Sequence, residues 1–316
     1  MSGDLNTAKE HRYTAGTRLA LVLDGLGEVG TLQSVSGGSL GSTGPLGGDG
    51  VRLLGGRPRY EDLTFRCGMA MAPPFWRWVD ASLRHQPERR SGAVLELDFD
   101  NRVRGELEFR DALLAEVGFP LLDAAQPAAP LLTLKLAVES LRDHRQPGRR
   151  RARPEQESPH EWDRQRRWST ANFALVLDRF PGAPQRTLRV EPMTLRQTII
   201  EVPTGGSRAP LKEPGRVEMP TLEATILTQD GGPWATWYRD FVEEDVAEPT
   251  CADLAYLDAS VNQKQPLMTM HLGEVGLIDL CQEERGPARL QPRRLRAKLR
   301  CESLRLEFHR GAAVGT

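Results

Sequence analysis

Three glycines near the amino terminus have the spacing of a nucleotide-binding loop. Gly25, Gly27 and Gly30 fit G-x-G-x-x-G and directly follow an apolar, strand-like segment. In a dinucleotide-binding fold, a helix must begin at this loop so that its amino terminus faces the pyrophosphate. The next residues, 31–38 (TLQSVSGG), favour a strand and then a turn. We therefore predict a turn between two strands, and no cofactor is expected.

A second glycine-rich run, Gly37 to Gly50, suggests a loop that cradles phosphate groups. The run reads GGSLGSTGPLGGDG, and no Gly-Lys-Ser/Thr sequence follows it. A P-loop needs that lysine and hydroxyl to hold the phosphates and the magnesium ion. We interpret the run as a flexible connection within a hairpin.

Four carboxylates at alternate positions of a predicted hairpin have the residue type needed for acid–base catalysis. They are Glu96, Asp98, Glu106 and Glu108. Glycoside hydrolysis needs two carboxylates in different environments across a cleft. Regular alternation on strands instead indicates a surface that faces solvent or a partner, so we nominate no catalytic residue.

The histidines and cysteines show no metal-ligand or nucleophile pattern. The six histidines are dispersed, and His271 is expected to be half-buried in a strand with its hydrogen bonds satisfied. No two of the four cysteines have C-x-x-C spacing, which favours a reduced, cytoplasmic origin. No G-x-S-x-G elbow is present. No metal site and no enzymatic activity are expected.

Composition and charge describe a folded, nearly neutral chain. The 316 residues, 39% of them hydrophobic, are enough for two domains, and the formal net charge is -1. No apolar run approaches the roughly 20 residues that cross a bilayer, and the polar amino terminus lacks a secretory signal. We expect cytoplasmic synthesis, no membrane association and no specific nucleic-acid binding.

Residues 144–168 are expected to form a charged linker or loop between two domains. This segment is rich in proline and arginine and has almost no aliphatic residues, so it cannot bury enough apolar surface to fold. Its arginines are interspersed with acidic residues, which weakens the case for a nucleic-acid patch.

The sequence repeats itself on either side of this linker. Landmarks recur in the same order: the opening segments LALVLD and FALVLD, a tryptophan-bearing segment, and a closing Glu-Ser-Leu-Arg at Glu139 and again at Glu302. Landmarks in register argue for a duplicated domain, with copies at 13–143 and 169–310. Alternation around Asp100-Asn101 predicts a hairpin of Val94–Phe99 and Val103–Phe109.

Further elements follow from periodicity in both copies. Alternating strands are predicted at 132–138 in the first copy and at 268–272, 295–301 and 304–308 in the second. One helix is predicted in each copy, after Pro74 and from Pro233, with an apolar stripe carrying tryptophans that belong to the core. Each copy is therefore mostly antiparallel β with one packed helix.

The order of these landmarks resembles the phage tail-tube family of contractile tails and contractile injection systems. The first copy has Leu23-Asp24-Gly25, then Ser34-Val35-Ser36-Gly37, then Gly56-Arg57-Pro58-Arg59-Tyr60, and a helix with Trp76 and Trp78. The second copy lacks the Val-Ser-Gly turn and the Gly-Arg-Pro run. The resemblance implies a mainly β (α+β) fold: two tandem tail-tube-like antiparallel β-sandwich or barrel domains, each with one packed helix.

The same resemblance implies a structural role. Members of the family close their sheets edge to edge into rings, and two domains in one chain would give a ring of three chains with pseudo-sixfold symmetry, or a ring of six. Expected partners are further copies of this chain and tail-tube, spike, hub or baseplate proteins. The run Gly37 to Gly50 departs from the family, whose members have a more charged loop there.

Two other functions remain as alternatives. Two β domains could form a binding module for a carbohydrate or a surface receptor, which exposed aromatic residues on loops would favour. An enzyme using the Gly25–Gly30 loop would need to bind a nucleotide, which a thermal shift with NAD or ATP would detect.

Overall fold

The computed structural model describes residues 17–42, 58–84, 86–144, 168–180, 186–203, 210–242, 249–258, 265–282 and 294–309. Its secondary structure is mostly strand with two α-helices among these residues. The predicted fold class, mainly β (α+β) with antiparallel sheets, is confirmed. Most of the predicted linker lies outside the described residues, but Trp168, its last residue, is the buried first residue of a strand.

The described residues of the first half of the chain form ten strands and one helix. In chain order these are β1 Arg18–Leu23, β2 Gly27–Gly37, β3 Leu40–Ser42, β4 Pro58–Tyr60, β5 Leu63–Met71, α1 Pro73–Leu83, β6 Arg90–Leu97, β7 Val103–Phe119, β8 Leu122–Asp123, β9 Leu132–Ala137 and β10 Ser140–Asp143.

In the second half, nine strands and one α-helix lie within the described ranges. They are β11 Trp168–Leu177, β12 Thr187–Val190, β13 Met193–Val202, β14 Leu211–Glu218, β15 Leu222–Leu227, α2 Gly232–Val242, β16 Thr250–Asp258, β17 Pro266–Gln282, β18 Arg294–Arg300 and β19 Ser303–Phe308.

Two compact units draw on both halves of the chain. Unit 1 takes in Met1–Val117, Leu132–Arg164 and Arg196–Val217. Unit 2 takes in Gly118–Leu131, Gln165–Leu195 and Glu218–Thr316. Each unit therefore contains strand residues that come from the opposite side of the linker. The tandem boundaries at 13–143 and 169–310 stay a prediction.

Unit 1 is a closed antiparallel barrel. Its strands follow the order β7-β6-β1-β2-β5-β9, and β9 also pairs with β7, which closes the circuit. The interior is apolar: Phe65 and Phe109 are buried with ring centroids 6.1 Å apart. Burying such aromatic rings supplies much of the stability of a small β core. Strand β10 adds to β7, and β13 and β14 extend the sheet outward from β7.

Helix α1 packs its aromatic face into unit 1. Pro73 lies in the first turn, where its missing N–H costs no helical hydrogen bond. Phe75 and Trp78 are buried, and the Trp78 indole Nε1 donates to the Glu88 carbonyl oxygen at 2.8 Å. The prediction that the helical tryptophans belong to the core is therefore confirmed.

Unit 2 has the same kinds of pairings. Strand β16 pairs with β11 and β17, and β17 pairs with β18 and β19. Strand β15 pairs with β18 and β12, and β12 pairs with β8. After β8, the Thr170 N–H donates to the Ala128 carbonyl oxygen at 3.1 Å. The segment that follows β7 thus supplies part of this sheet.

The core of unit 2 is built around two aromatic groups. Trp234 and Trp237 of α2 are buried against Phe180, with centroid distances of 5.4 and 5.8 Å. Tyr256 of β16 is fully buried and contacts Trp168 at 5.2 Å. The predicted helix and its stripe are confirmed by the burial of both tryptophans.

Candidate functional site

The G-x-G-x-x-G segment is a turn between β1 and β2, as predicted. Gly25 and Gly27 have φ values of 75° and 71°, a left-handed region that side chains with a Cβ rarely adopt. The Leu26 N–H donates to the Leu23 carbonyl oxygen at 3.0 Å, and β2 begins at once. The two glycines are explained by backbone geometry, and the helix that a dinucleotide needs does not follow.

Two of the four hairpin carboxylates, Asp98 and Glu108, have separate structural roles. Asp98 is buried in the β6–β7 turn, where its Oδ1 accepts from the backbone N–H groups of Asp100 and Arg102 at 3.0 and 2.9 Å. Asn101 in this turn has a φ of 57°. Asp98 therefore differs from the exposed position that alternation predicts, because it holds the tight turn.

Glu108 faces basic partners on the outer surface of the hairpin. Its Oε1 accepts from Arg110 Nε at 2.8 Å, and its Oε2 lies 3.4 Å from His144 Nε2. The hydrogen bond to Arg110, followed by that to His144, lowers the pKa of Glu108. Glu108 is thus held ionised, which suits surface pairing and not proton donation.

His271 is satisfied by two carboxylates, as predicted. Its Nδ1 lies 2.7 Å from Asp253 Oδ1, and its Nε2 lies 2.9 Å from Glu307 Oε2. The hydrogen bond to His271 lowers the pKa of Glu307. In the part of the chain that the structure describes, no group of three or more histidines, cysteines and carboxylates could hold a metal ion.

Unit 2 contains an open cleft of about 620 Å³ beside helix α2. Asp178, Arg179 and Asp240 are its charged lining residues. Arg179 Nη2 lies 3.3 Å from Asp240 Oδ2, and the Arg179 guanidinium lies 5.9 Å from the centroid of the Trp237 ring. A paired arginine resting on a buried tryptophan stabilises the cleft wall.

The feature with the clearest functional meaning is the β13–β14 extension of unit 1. Lys212 of β14 is 7% exposed, and its Nζ lies 3.2 Å from Asp62 Oδ1. Its backbone N–H donates to Glu139 Oε1 at 3.2 Å, and Glu139 also binds the Arg89 guanidinium. A buried lysine requires such a partner, because an unpaired charge away from water is costly.

A second group of charges fixes β13 beside the later part of β7. Residues 103–112 of β7 pair with β6. Beyond them, Glu116 Oε1 lies 3.7 Å from Arg196 Nε of β13 and 3.6 Å from Lys135 Nζ of β9. Glu116 therefore sits between two cations that come from the strands on either side. These contacts make unit 1 a barrel whose β7 edge is covered by strands from the other half of the chain.

Sequence reasoning missed this extension. Residues 185–220 carry none of the landmarks that the two copies share, because that part of the second copy lacks the Val-Ser-Gly and Gly-Arg-Pro runs. A usable signal was present: two strand-like segments flank the pair Gly205-Gly206, which is typical of a hairpin. The partner of that hairpin could not have been read from local pattern.

Within the described ranges, no α-helix is both long and apolar enough to cross a membrane. No protein-family model matches the sequence, and no curated protein sequence does. Several solved structures do match. A chain in the cryo-EM structure of the anti-feeding prophage baseplate, 6-fold symmetrised, is 13% identical with a TM-score of 0.35, covering 43% of this chain and 91% of that chain.

Two other matches come from the same kinds of particle. A chain of the sheath-tube complex of an extracellular contractile injection system, PVC, in its extended state is 11% identical with a TM-score of 0.37. A chain of the anti-feeding prophage tube-terminating cap is 11% identical with a TM-score of 0.35. Each covers 44% of this chain and 89% of the matched chain. This chain is therefore similar, over less than half of its length each time, to chains from a baseplate, a sheath-tube complex and a tube cap.

Proposed function

We propose that this chain is a structural subunit of a phage tail or contractile injection system and not an enzyme. It forms or caps a ring of the tail tube, as a tube initiator, adapter or hub-like component. Its partners are further copies of itself and tube, spike, hub or baseplate proteins. It is made in the cytoplasm and then becomes part of the assembled particle.

The observation that carries this proposal is the way unit 1 recruits strands. Its barrel accepts β13 and β14 at the edge of β7, and buried Lys212 secures them. Strand addition of this kind provides a row of main-chain hydrogen bonds, and side-chain pockets then select the incoming strand. A barrel whose edge pairs with added strands is suited to assembly.

Duplication of a single ancestral domain is supported by the pairings within each unit. In unit 1, β6 pairs with β1 and β7, and β7 also pairs with β10. In unit 2, β16 pairs with β11 and β17, and β17 also pairs with β19. A helix precedes β6 and β16 alike. We infer that residues 13–143 and 169–310 descend from one tube-like domain.

The presence of two related domains in one chain determines how many chains a ring contains. Three chains place six domains around a pore and give pseudo-sixfold symmetry, whereas six chains place twelve. Ring closure also covers strand edges that would otherwise invite uncontrolled pairing. Because the two copies differ in sequence, neighbouring positions in the ring are not equivalent, which suits an adapter where the symmetry of the tail changes.

The test is negative-stain imaging of the purified chain, alone and with a cognate tube protein. We expect rings with a central channel that lie at one end of assembled tubes. Globular particles without a channel, and no association with the tube protein, would contradict the structural role. A thermal shift with NAD or ATP serves as the control for the enzyme alternative, and no shift is expected.

The binding-module alternative has one observation in its favour. Phe99, in the turn between β6 and β7, is 86% exposed. An exposed aromatic ring on a loop can stack on a sugar face or enter a receptor pocket. Glycan-array binding that is lost in Phe99→Ala would favour this alternative, whereas ring assembly that is unchanged in Phe99→Ala would favour the structural role.

A further inference from the structure

We propose that the edge of β17 at Gly276–Gln282, which pairs with β18 on one side and with no described strand on the other, receives strands β3 and β4 of a second copy of this chain. This inference rests on the proposed structural role and names the surface through which the copies join. It follows from comparing two edges, the one in unit 1 that is covered and its counterpart in unit 2.

Strands β7 and β17 are built alike and can be compared position by position. Each has 17 residues and a non-glycine residue in the left-handed region: Asp111 at φ 51° and Glu274 at φ 53°. Before this residue, each strand pairs with the preceding strand of its own unit. After it, β7 pairs with β9 and β13, and β17 pairs with β18. Among the described strands, none covers the other edge of β17.

Side-chain exposure also differs between the two strands. Four residues after the left-handed position, Ala115 of β7 is 6% exposed, whereas Ile278 of β17 is 42% exposed. Ile278 is the β-bulge residue between Leu277 and Asp279 in the pairing with β18, so it stands outside the regular ladder. An incoming strand at this edge would cover its side chain.

The acidic residue that secures the incoming hairpin in unit 1 also has an exposed counterpart. Glu139 follows β9, accepts from the backbone N–H of Lys212 in β14, and has a side chain 20% exposed. Glu302 follows β18 within the same Glu-Ser-Leu-Arg sequence, and its side chain is 55% exposed, 3.6 Å from Arg300. The Glu302 carboxylate is therefore placed to accept a hydrogen bond from an incoming strand, as the Glu139 carboxylate does from β14.

Strands β3 and β4 have the sequence position of β13 and β14 in their own half of the chain. Two residues separate β2 from β3, and two residues separate β12 from β13. Strand β4 precedes β5 as β14 precedes β15, and β3 and β4 pair with each other in a two-stranded sheet. Arg59 of β4 also lies 3.2 Å from Glu201 of β13, so this hairpin contacts β13 of its own chain through a side chain. Leu40, which opens β3, is 65% exposed, whereas Met193, which opens β13, is buried.

These two features make a second copy the fitting occupant. Within one chain, the hairpin β13–β14 already pairs with the edge of β7. The edge of β17 corresponds to that edge of β7, and the hairpin β3–β4 corresponds to β13–β14. An exposed leucine on a two-stranded sheet and an exposed isoleucine on a strand edge bury each other when they pair. Contact between different patches on two copies is heterologous, and such contacts close into rings when the rotation permits.

The first test is a cross-link between Leu40→Cys and Ile278→Cys in a chain that also carries Cys251→Ser and Cys281→Ser. A short bismaleimide added to the assembled protein is expected to give covalent dimers and trimers in denaturing gels. Leu40→Cys with Val176→Cys is the matched control, because Val176 is a strand residue of unit 2 that is 47% exposed. Only a within-chain cross-link, or equal yields in the two pairs, would overturn the inference.

The second test separates this inference from the proposed function. Ile278→Asp is expected to raise the protein concentration needed for assembly at least tenfold, while its circular dichroism spectrum stays unchanged. Val176→Asp is expected to assemble at the wild-type concentration. Rings that form equally well with Ile278→Asp would overturn the edge assignment and leave the structural role standing. Wild-type chain that forms no ring under any condition would instead overturn the structural role.

Discussion

Cys67 lies at the centre of the unit 1 barrel, paired on either side with leucines of β2 and β9. Burial raises the pKa of its thiol to about 12, and burial likewise raises the pKa of Cys301 to about 11. The thiolate is the reactive species, so both should resist alkylation in the folded protein. Cys251 is exposed.

We predict that iodoacetamide at pH 8 labels Cys251 first and Cys67 last, with mass spectrometry of tryptic peptides as the measurement. Labelling in urea, where all four thiols are accessible, is the control. Early labelling of Cys67 under native conditions would show that the barrel opens readily.

Tyr256 presents a buried hydroxyl group without a hydrogen-bond partner among the described residues. Burial raises the pKa of this phenol above its ordinary value. An unsatisfied buried polar group costs about 1–3 kcal/mol. Tyr256→Phe is therefore expected to leave the free energy of unfolding unchanged or to raise it by about 1 kcal/mol, measured by urea denaturation.

The ring of Tyr256 must be retained for that result. Tyr256→Ala removes the contacts with Trp168 and Phe119 and should destabilise by about 3–5 kcal/mol. A clear loss of stability in Tyr256→Phe would mean that the hydroxyl has a partner after all.

Residue-level prediction from the sequence succeeded where local backbone geometry decides the outcome. The glycines at 25 and 27 are explained by a left-handed turn, and that turn was expected because no helix could follow it. Asp98 was expected on a surface and is instead buried in a turn, because two backbone N–H groups bind its carboxylate. Alternation alone cannot reveal such a bond.

At the level of elements, strands and helices with local patterns were predicted well. The hairpin around Asp100-Asn101 and both helices follow from periodicity within short stretches of sequence. The pairing of β13 with β7 joins segments about 80 residues apart, and no local pattern encodes such a partner. Ion pairs of Lys212 and Arg196 with carboxylates of unit 1 accompany this pairing.

Lys212 is the residue that should matter most for the β13–β14 extension. Lys212→Met removes the contact with Asp62 and is expected to lower the free energy of unfolding by about 1–3 kcal/mol, because a paired and nearly buried charge is lost. Urea denaturation followed by tryptophan fluorescence measures this change.

Lys135→Met provides the matched control. Lys135 contacts the same Asp62 at 3.7 Å and Glu116 at 3.6 Å, but its side chain is 38% exposed. More exposed ion pairs contribute about 0–1 kcal/mol, so its loss should have a smaller effect. Equal effects for the two variants would contradict the special role of the buried lysine.

At the scale of the whole molecule, we propose that exposed strand edges serve assembly. Each unit takes strand residues from the opposite half of the chain. The proposed joint between copies would repeat, between chains, the strand addition that unit 1 displays. Sequence repetition suggested two related domains, but this interleaving depends on long-range pairing and was not foreseen.

The most direct test of the central claim is the native mass of the purified chain over a range of concentrations. We predict a closed assembly of three chains, which is pseudo-sixfold in projection and does not grow further as concentration rises. A single-chain mass at every concentration, with and without a cognate tube protein, would contradict the account.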